Sequence, residues 1–136
     1  MSEKAISSEE LRKKAADLGF HVIYVPHERI KNHNACYNVI VEGKNIFPPA
    51  AQALEIPLNE IWISEKWKHY EKFILYHELR EIEYRTQGAS VENAHFLSQR
   101  DCILMWGDDP EWRKGLVDVH IQDVFTRIEG MDPKKK

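Results

Sequence analysis

A chain of 136 residues with 43% hydrophobic content has material for one core, and a domain of that size buries about two thirds of the surface its unfolded chain exposes. This predicts a single domain over residues 1–136, with 130–136 as a flexible tail. The formal charge of -3 gives no reason to propose a phosphate-backbone partner and no local basic patch has a clear sequence signature, so no nucleic-acid partner is expected; the closing Lys134-Lys135-Lys136 is too short and isolated to change that.

No apolar run approaches the roughly 20 residues needed to span a bilayer. Met1-Ser2-Glu3-Lys4 lacks the apolar stretch of a secretory signal. The expectation is a cytoplasmic protein with no membrane partner. Cys36 and Cys102 lie far apart and outside any CxxC pair, which reads as two free thiols in a reducing compartment.

In chain order, Ser7 or Ser8 followed by Glu9 and Glu10 marks a helix start. That helix carries Leu11, Ala15 and Leu18 and stops at Gly19. Residues 20–25 have strand composition and end at Pro26. A polar stretch rich in His and Asn covers 27–34. Residues 37–41 give a second strand turning at Glu42-Gly43, and 50–54 a short helix after Pro48-Pro49. Residues 59–64 form a third strand directly before the main helix. That helix begins near Glu65 and runs through Trp67, Tyr70, Ile74, Leu79 and Tyr84 to Gln87, with Gly88 suited to the left-handed closing position. Ser90 caps a further helix ending before Gly107. Asp109-Pro110 opens a last one over 111–129, where His120 sits among Val117, Ile121 and Val124 and reads as a packing residue. The fold class is α+β: a small antiparallel or mixed sheet against about four helices.

The chemistry concentrates in His77-Glu78-Leu79-Arg80-Glu81, followed by Gly88 and Ala94-His95. His77 and Glu81 are one helical turn apart and point the same way. A reversal at Gly88 brings His95 back near the start of the next helix, and antiparallel helices pack 8–10 Å apart. Two histidines and one carboxylate form a recognised catalytic zinc set. The metal ligands are therefore His77, Glu81 and His95, with Zn2+ as the cofactor. Glu78, beside the ion and not aimed at it, is placed as the general base, and Glu92 is a reserve ligand or an acceptor for an imidazole N–H. Tyr84 faces the same way as His77 and Glu81, either as an oxyanion donor or as a packed amphipathic ring. Asp101, six residues past His95, falls off the His95 face. Glu81 also has a competing use, a pair with Arg85 four residues on, and a solvated charged face of Glu78, Arg80, Glu81, Glu83 and Arg85 is the plain alternative to an ion site.

This segment resembles the active-site helix of zincin-type metallopeptidases, whose usual form is His-Glu-x-x-His with a third ligand downstream. Ile61-Trp62-Ile63 before Tyr76-His77-Glu78-Leu79 is similar to the strand and helix of minimal zincins, in which a strand edge holds an extended peptide. The resemblance spans residues 59–101. It implies His77 as first ligand, Glu78 as base and His95 as third ligand, with Glu81 standing where the family has its second histidine. The activity so implied is zinc-dependent hydrolysis of a peptide or protein substrate. The rival is a noncatalytic protein–protein interaction module on the same fold, with or without metal, its partner another protein or a second copy of the chain. Carboxylate-rich two-metal chemistry with manganese or iron is a further alternative if Glu78 or Glu92 turns inward.

Overall fold

The computed structural model describes residues 6–31 and 33–115. Ser7 closes the first helix, α1 (Ser8–Asp17): its hydroxyl accepts from the Glu10 N–H at 3.1 Å, and the Glu10 carboxylate accepts from the Ser7 N–H at 2.8 Å. These reciprocal bonds satisfy two amides that the first turn would leave unpaired. Strand β1 (His21–Val25) follows, then β2 (Ala35–Val41), and a two-residue turn at Glu42-Gly43 with positive φ at both positions leads into β3 (Lys44–Ile46). Such a turn matches the twist of a hairpin. The short Lys-Asn-Ile strand carries no apolar alternation, which is why the sequence reading stops at Gly43. Helix α2 (Ala50–Leu54) and strand β4 (Glu60–Ser64) come next.

The sheet is mixed, in the order β1-β4-β2-β3, with β1 parallel to β4 and the other pairs antiparallel. Strand β4 is thus internal and bonded along both edges. The resemblance implies a peptide-binding edge on the strand before the main helix; here that edge is already used by a neighbouring strand.

Side chains of successive residues in a strand point to opposite faces, and the two faces build two apolar layers. Ile61, Ile63, Ala35, Tyr37 and Val39 join the larger core with residues of the helices, whereas Trp62, Cys36 and Val25 pack with Ile30, Ala51, Leu54 and Ile56 on the reverse. Of the four tryptophans, Trp62, Trp106 and Trp112 are buried and Trp67 is half-buried.

The main helix departs from the expected start near Glu65. Residues Glu65–Tyr70 form a 3-10 turn in which Trp67 leaves helical geometry (φ -111°, ψ 26°), and helix α3 (Glu71–Thr86) begins only at Glu71. One local and one long-range bond hold the tighter turn: the Ser64 hydroxyl accepts from the Lys66 N–H, and the Trp67 indole donates to Asn34 Oδ1 at 2.8 Å. His27, in the loop after β1, bonds Ser64 Oγ through Nδ1 at 2.7 Å and packs edge-on against Trp67. It is a brace for this turn. Helices α4 (Val91–Trp106) and α5 (Pro110–Gly115) complete the described chain. The remainder of the expected last helix, His120 included, and the tail at 130–136 lie outside the described residues. Among the described residues no helix is long and apolar enough to cross a membrane.

Glu71 ties three elements together at the head of α3. Its carboxylate accepts from Arg12 Nε at 2.6 Å and from the second Arg12 nitrogen at 2.9 Å, and also from the Ser8 and Tyr24 hydroxyls. Burial alone would raise this carboxyl; the Arg12, Ser8 and Tyr24 donors outweigh it and hold the group below its ordinary 4.5. A carboxyl depressed in the folded state adds stability above its unfolded value, and that contribution disappears as pH falls through the folded value. Glu71→Gln is expected to lower stability by about 2 kcal/mol at pH 7, with the gap to the parent protein narrowing as urea unfolding is repeated at successively lower pH below the ordinary carboxyl value of 4.5.

Candidate metal centre

Helix α3 packs against α4 on one side and against α1, β2 and β3 on others. Being covered on most sides, it buries Phe73, Ile74, Leu75, Leu79 and Ile82, and with them His77, Glu78 and Glu81. Burying ionisable groups in a small apolar core is costly unless partners compensate. His77, Glu81 and His95 are 3%, 1% and 2% exposed, which excludes the solvated charged face for this part of the helix. The Arg85 guanidinium, the other expected partner of Glu81, donates to the Phe47 carbonyl at 3.2 Å.

The turn after α3 brings His95 in. Gly88 takes φ 107°, with its N–H on the Arg85 carbonyl and the Ala89 N–H on the Tyr84 carbonyl. The Ser90 hydroxyl then caps α4 by accepting from the Asn93 N–H at 3.1 Å. His95 arrives one turn into α4 and faces His77 with ring centroids 4.8 Å apart.

One atom from each of the three side chains converges on a common point. His77 Nε2 lies 3.2 Å from His95 Nδ1, and Glu81 Oε1 lies 3.5 Å from each of these nitrogens. Zinc–nitrogen and zinc–oxygen bonds of about 2.0–2.1 Å give a tetrahedron with edges of about 3.3 Å, while an octahedral face built on the same bonds has edges of about 2.9 Å. The observed triangle matches the tetrahedral spacing. The same spacing also accommodates a hydrogen bond between the two imidazoles, His77 Nε2 and His95 Nδ1. The donor set, two imidazoles and one carboxylate, suits a divalent transition ion such as zinc or iron. The structure therefore supplies a buried triad on a helical hairpin capable of holding a divalent ion.

The electrostatics of the pocket favour positive charge. Burial by itself disfavours a charged His77, yet the adjacent Cys102 sulfur and the Glu81 and Glu78 carboxylates outweigh it and hold the imidazole well above its ordinary value. Glu78 is itself buried, and its charge is felt by both His77 and Tyr37, so it flanks the triad without belonging to the converging set. Cys102 sits seven residues after His95, two turns along the same face of α4, and is fully buried. It is a thiol, in no disulfide, as is Cys36.

Tyr37 is the neighbour that the sequence reading missed. Strand alternation turns it toward the helices, where its hydroxyl donates to Glu81 Oε2 at 2.7 Å. Burial first, then the charges of Glu81 and Glu78, keep the phenol well above its ordinary range, so it stays a donor. A signal existed: a tyrosine on the core-facing side of a strand needs a partner for its hydroxyl.

The other expected residues fall around this centre. The Tyr84 hydroxyl donates to Asp101 Oδ2 at 2.7 Å and receives hydrogen bonds from Arg80 and Arg100 at 3.0 and 3.1 Å. Asp101 also receives Arg80 Nε at 2.9 Å. Burial would raise the Asp101 carboxyl, but Tyr84, Arg80 and Arg100 together lower it. Glu92 is exposed on the first turn of α4. Comparison with protein-family models, curated proteins and solved structures finds no match.

Proposed function

We propose that this chain is a zinc-dependent hydrolase whose ion is held by His77, Glu81 and His95 and whose base is Glu78. The observation that carries the reading is the convergence of one donor atom from each ligand, 3.2–3.5 Å apart, inside the core. When bound, the ion supplies Lewis-acid polarisation of a carbonyl and lowers the pKa of a coordinated water toward neutrality. Glu78 follows His77 directly on α3 and is a carboxylate held beside the triad. Its role is to accept the water's proton and return it to the leaving group. The resemblance of residues 59–101 to zincins makes a peptide bond the substrate of first choice.

One observation favours a second reading, a noncatalytic interaction module braced by the ion. All three ligands are nearly inaccessible, and β4 offers no free edge to an extended peptide. The test combines zinc analysis of the purified, untagged protein by plasma mass spectrometry with a peptide-cleavage screen. Near-stoichiometric zinc with chelator-sensitive cleavage supports the hydrolase; zinc without cleavage supports the braced module; no metal after zinc is offered and washed away removes both metal readings.

A further inference from the structure

Resting on the metal reading above, the geometry points to Tyr37 as the positioning residue that makes Glu81 a one-oxygen ligand and thereby holds the centre at low coordination number. A carboxylate has two oxygens and can present either or both to an ion. In Glu81 they are divided: Oε1 faces His77 Nε2 and His95 Nδ1, while Oε2 accepts the Tyr37 hydroxyl at 2.7 Å. Turning Oε2 toward the ion would pull it from the hydroxyl of a phenol that has no solvent exposure, and an unmet buried donor is costly. Tyr37 is itself fixed, because its strand lies antiparallel to β4 with Tyr37 opposite Ile61. The brace therefore comes from the sheet, and it acts on the ligand that differs from the usual histidine. Histidine ligands are commonly oriented through their second nitrogen; here a carboxylate is oriented through its second oxygen.

The consequence is a site suited to four-coordinate zinc or cobalt over six-coordinate manganese or iron. Tyr37→Phe removes only the hydroxyl and keeps the ring in the core. With cobalt(II) in place of zinc, the parent protein is expected to show the strong visible absorption of a tetrahedral ion. Tyr37→Phe is expected to lose much of that intensity as Glu81 gains a second bond, and to bind zinc about 10–100-fold more weakly. Tyr24→Phe, which removes a phenol–carboxylate bond at Glu71, well away from the triad, should leave the cobalt spectrum unchanged. Zinc X-ray absorption on the parent protein reads the same property without substitution, and four light donors are expected.

An unaltered spectrum and affinity in Tyr37→Phe, or five or more zinc neighbours in the parent protein, would overturn the assignment while leaving the metal centre standing. Absence of metal from the parent protein would instead overturn the reading on which it rests.

Discussion

His95→Ala is expected to yield a protein that copurifies without zinc and whose melting no longer responds to chelator. In the parent protein, saturation at a thousand times the dissociation constant adds about 4 kcal/mol of stability. For a chain of this size, stripping the ion should then lower the melting temperature by on the order of 10–20 °C. The two-way comparison matters because alanine also opens a cavity where a buried ring stood, and that alone destabilises. The cavity effect persists in chelator; the ion's contribution does not. His77→Ala should behave alike, since each removes one corner of the same triangle. A parent protein that melts at one temperature with zinc, without it and in chelator would show that the converging side chains hold a proton and nothing more.

The second large effect concerns Glu78. Glu78→Gln keeps the shape of the side chain and removes its capacity to take a proton. The variant is expected to retain zinc and the chelator response while peptide turnover falls by about 10²–10⁴. Steady-state kinetics should place the loss in kcat, because the group acts on the reacting water and not on substrate binding. A variant that cleaves as fast as its parent would remove Glu78 from the chemistry.

The part of this centre that was legible in the sequence is the part set by local geometry. His77 and Glu81 are related by one helical turn, and the Gly88 reversal followed by the Ser90 cap fixes where the next helix starts. Those relations depend on short stretches of chain, so the convergence of His77, Glu81 and His95 could be anticipated without a structure. That Tyr37 needs a partner for its hydroxyl was legible, but Glu81 as that partner was not, because the contact joins residues 44 positions apart and depends on the register of β2 against β4. The parallel pairing of β1 with β4 was hidden for the same reason, and β3 because its three residues carry no apolar alternation. Tyr84 illustrates a different limit. Angular position on a helix does not say which partner a long side chain takes, and the Tyr84 hydroxyl is occupied by Asp101, Arg80 and Arg100.

The α3–Gly88–α4 hairpin also bears on the order of assembly. All three converging residues belong to this one hairpin, whereas the sheet and Tyr37 reach it through distant contacts. Short loops close at lower entropic cost than long ones, and local contacts form early. A hairpin of this kind could capture an ion before the strands have found their register and act as a template on which they settle. Zinc would then quicken refolding more than it slows unfolding. Stopped-flow traces with and without the ion would separate that sequence from one in which the metal enters a finished core.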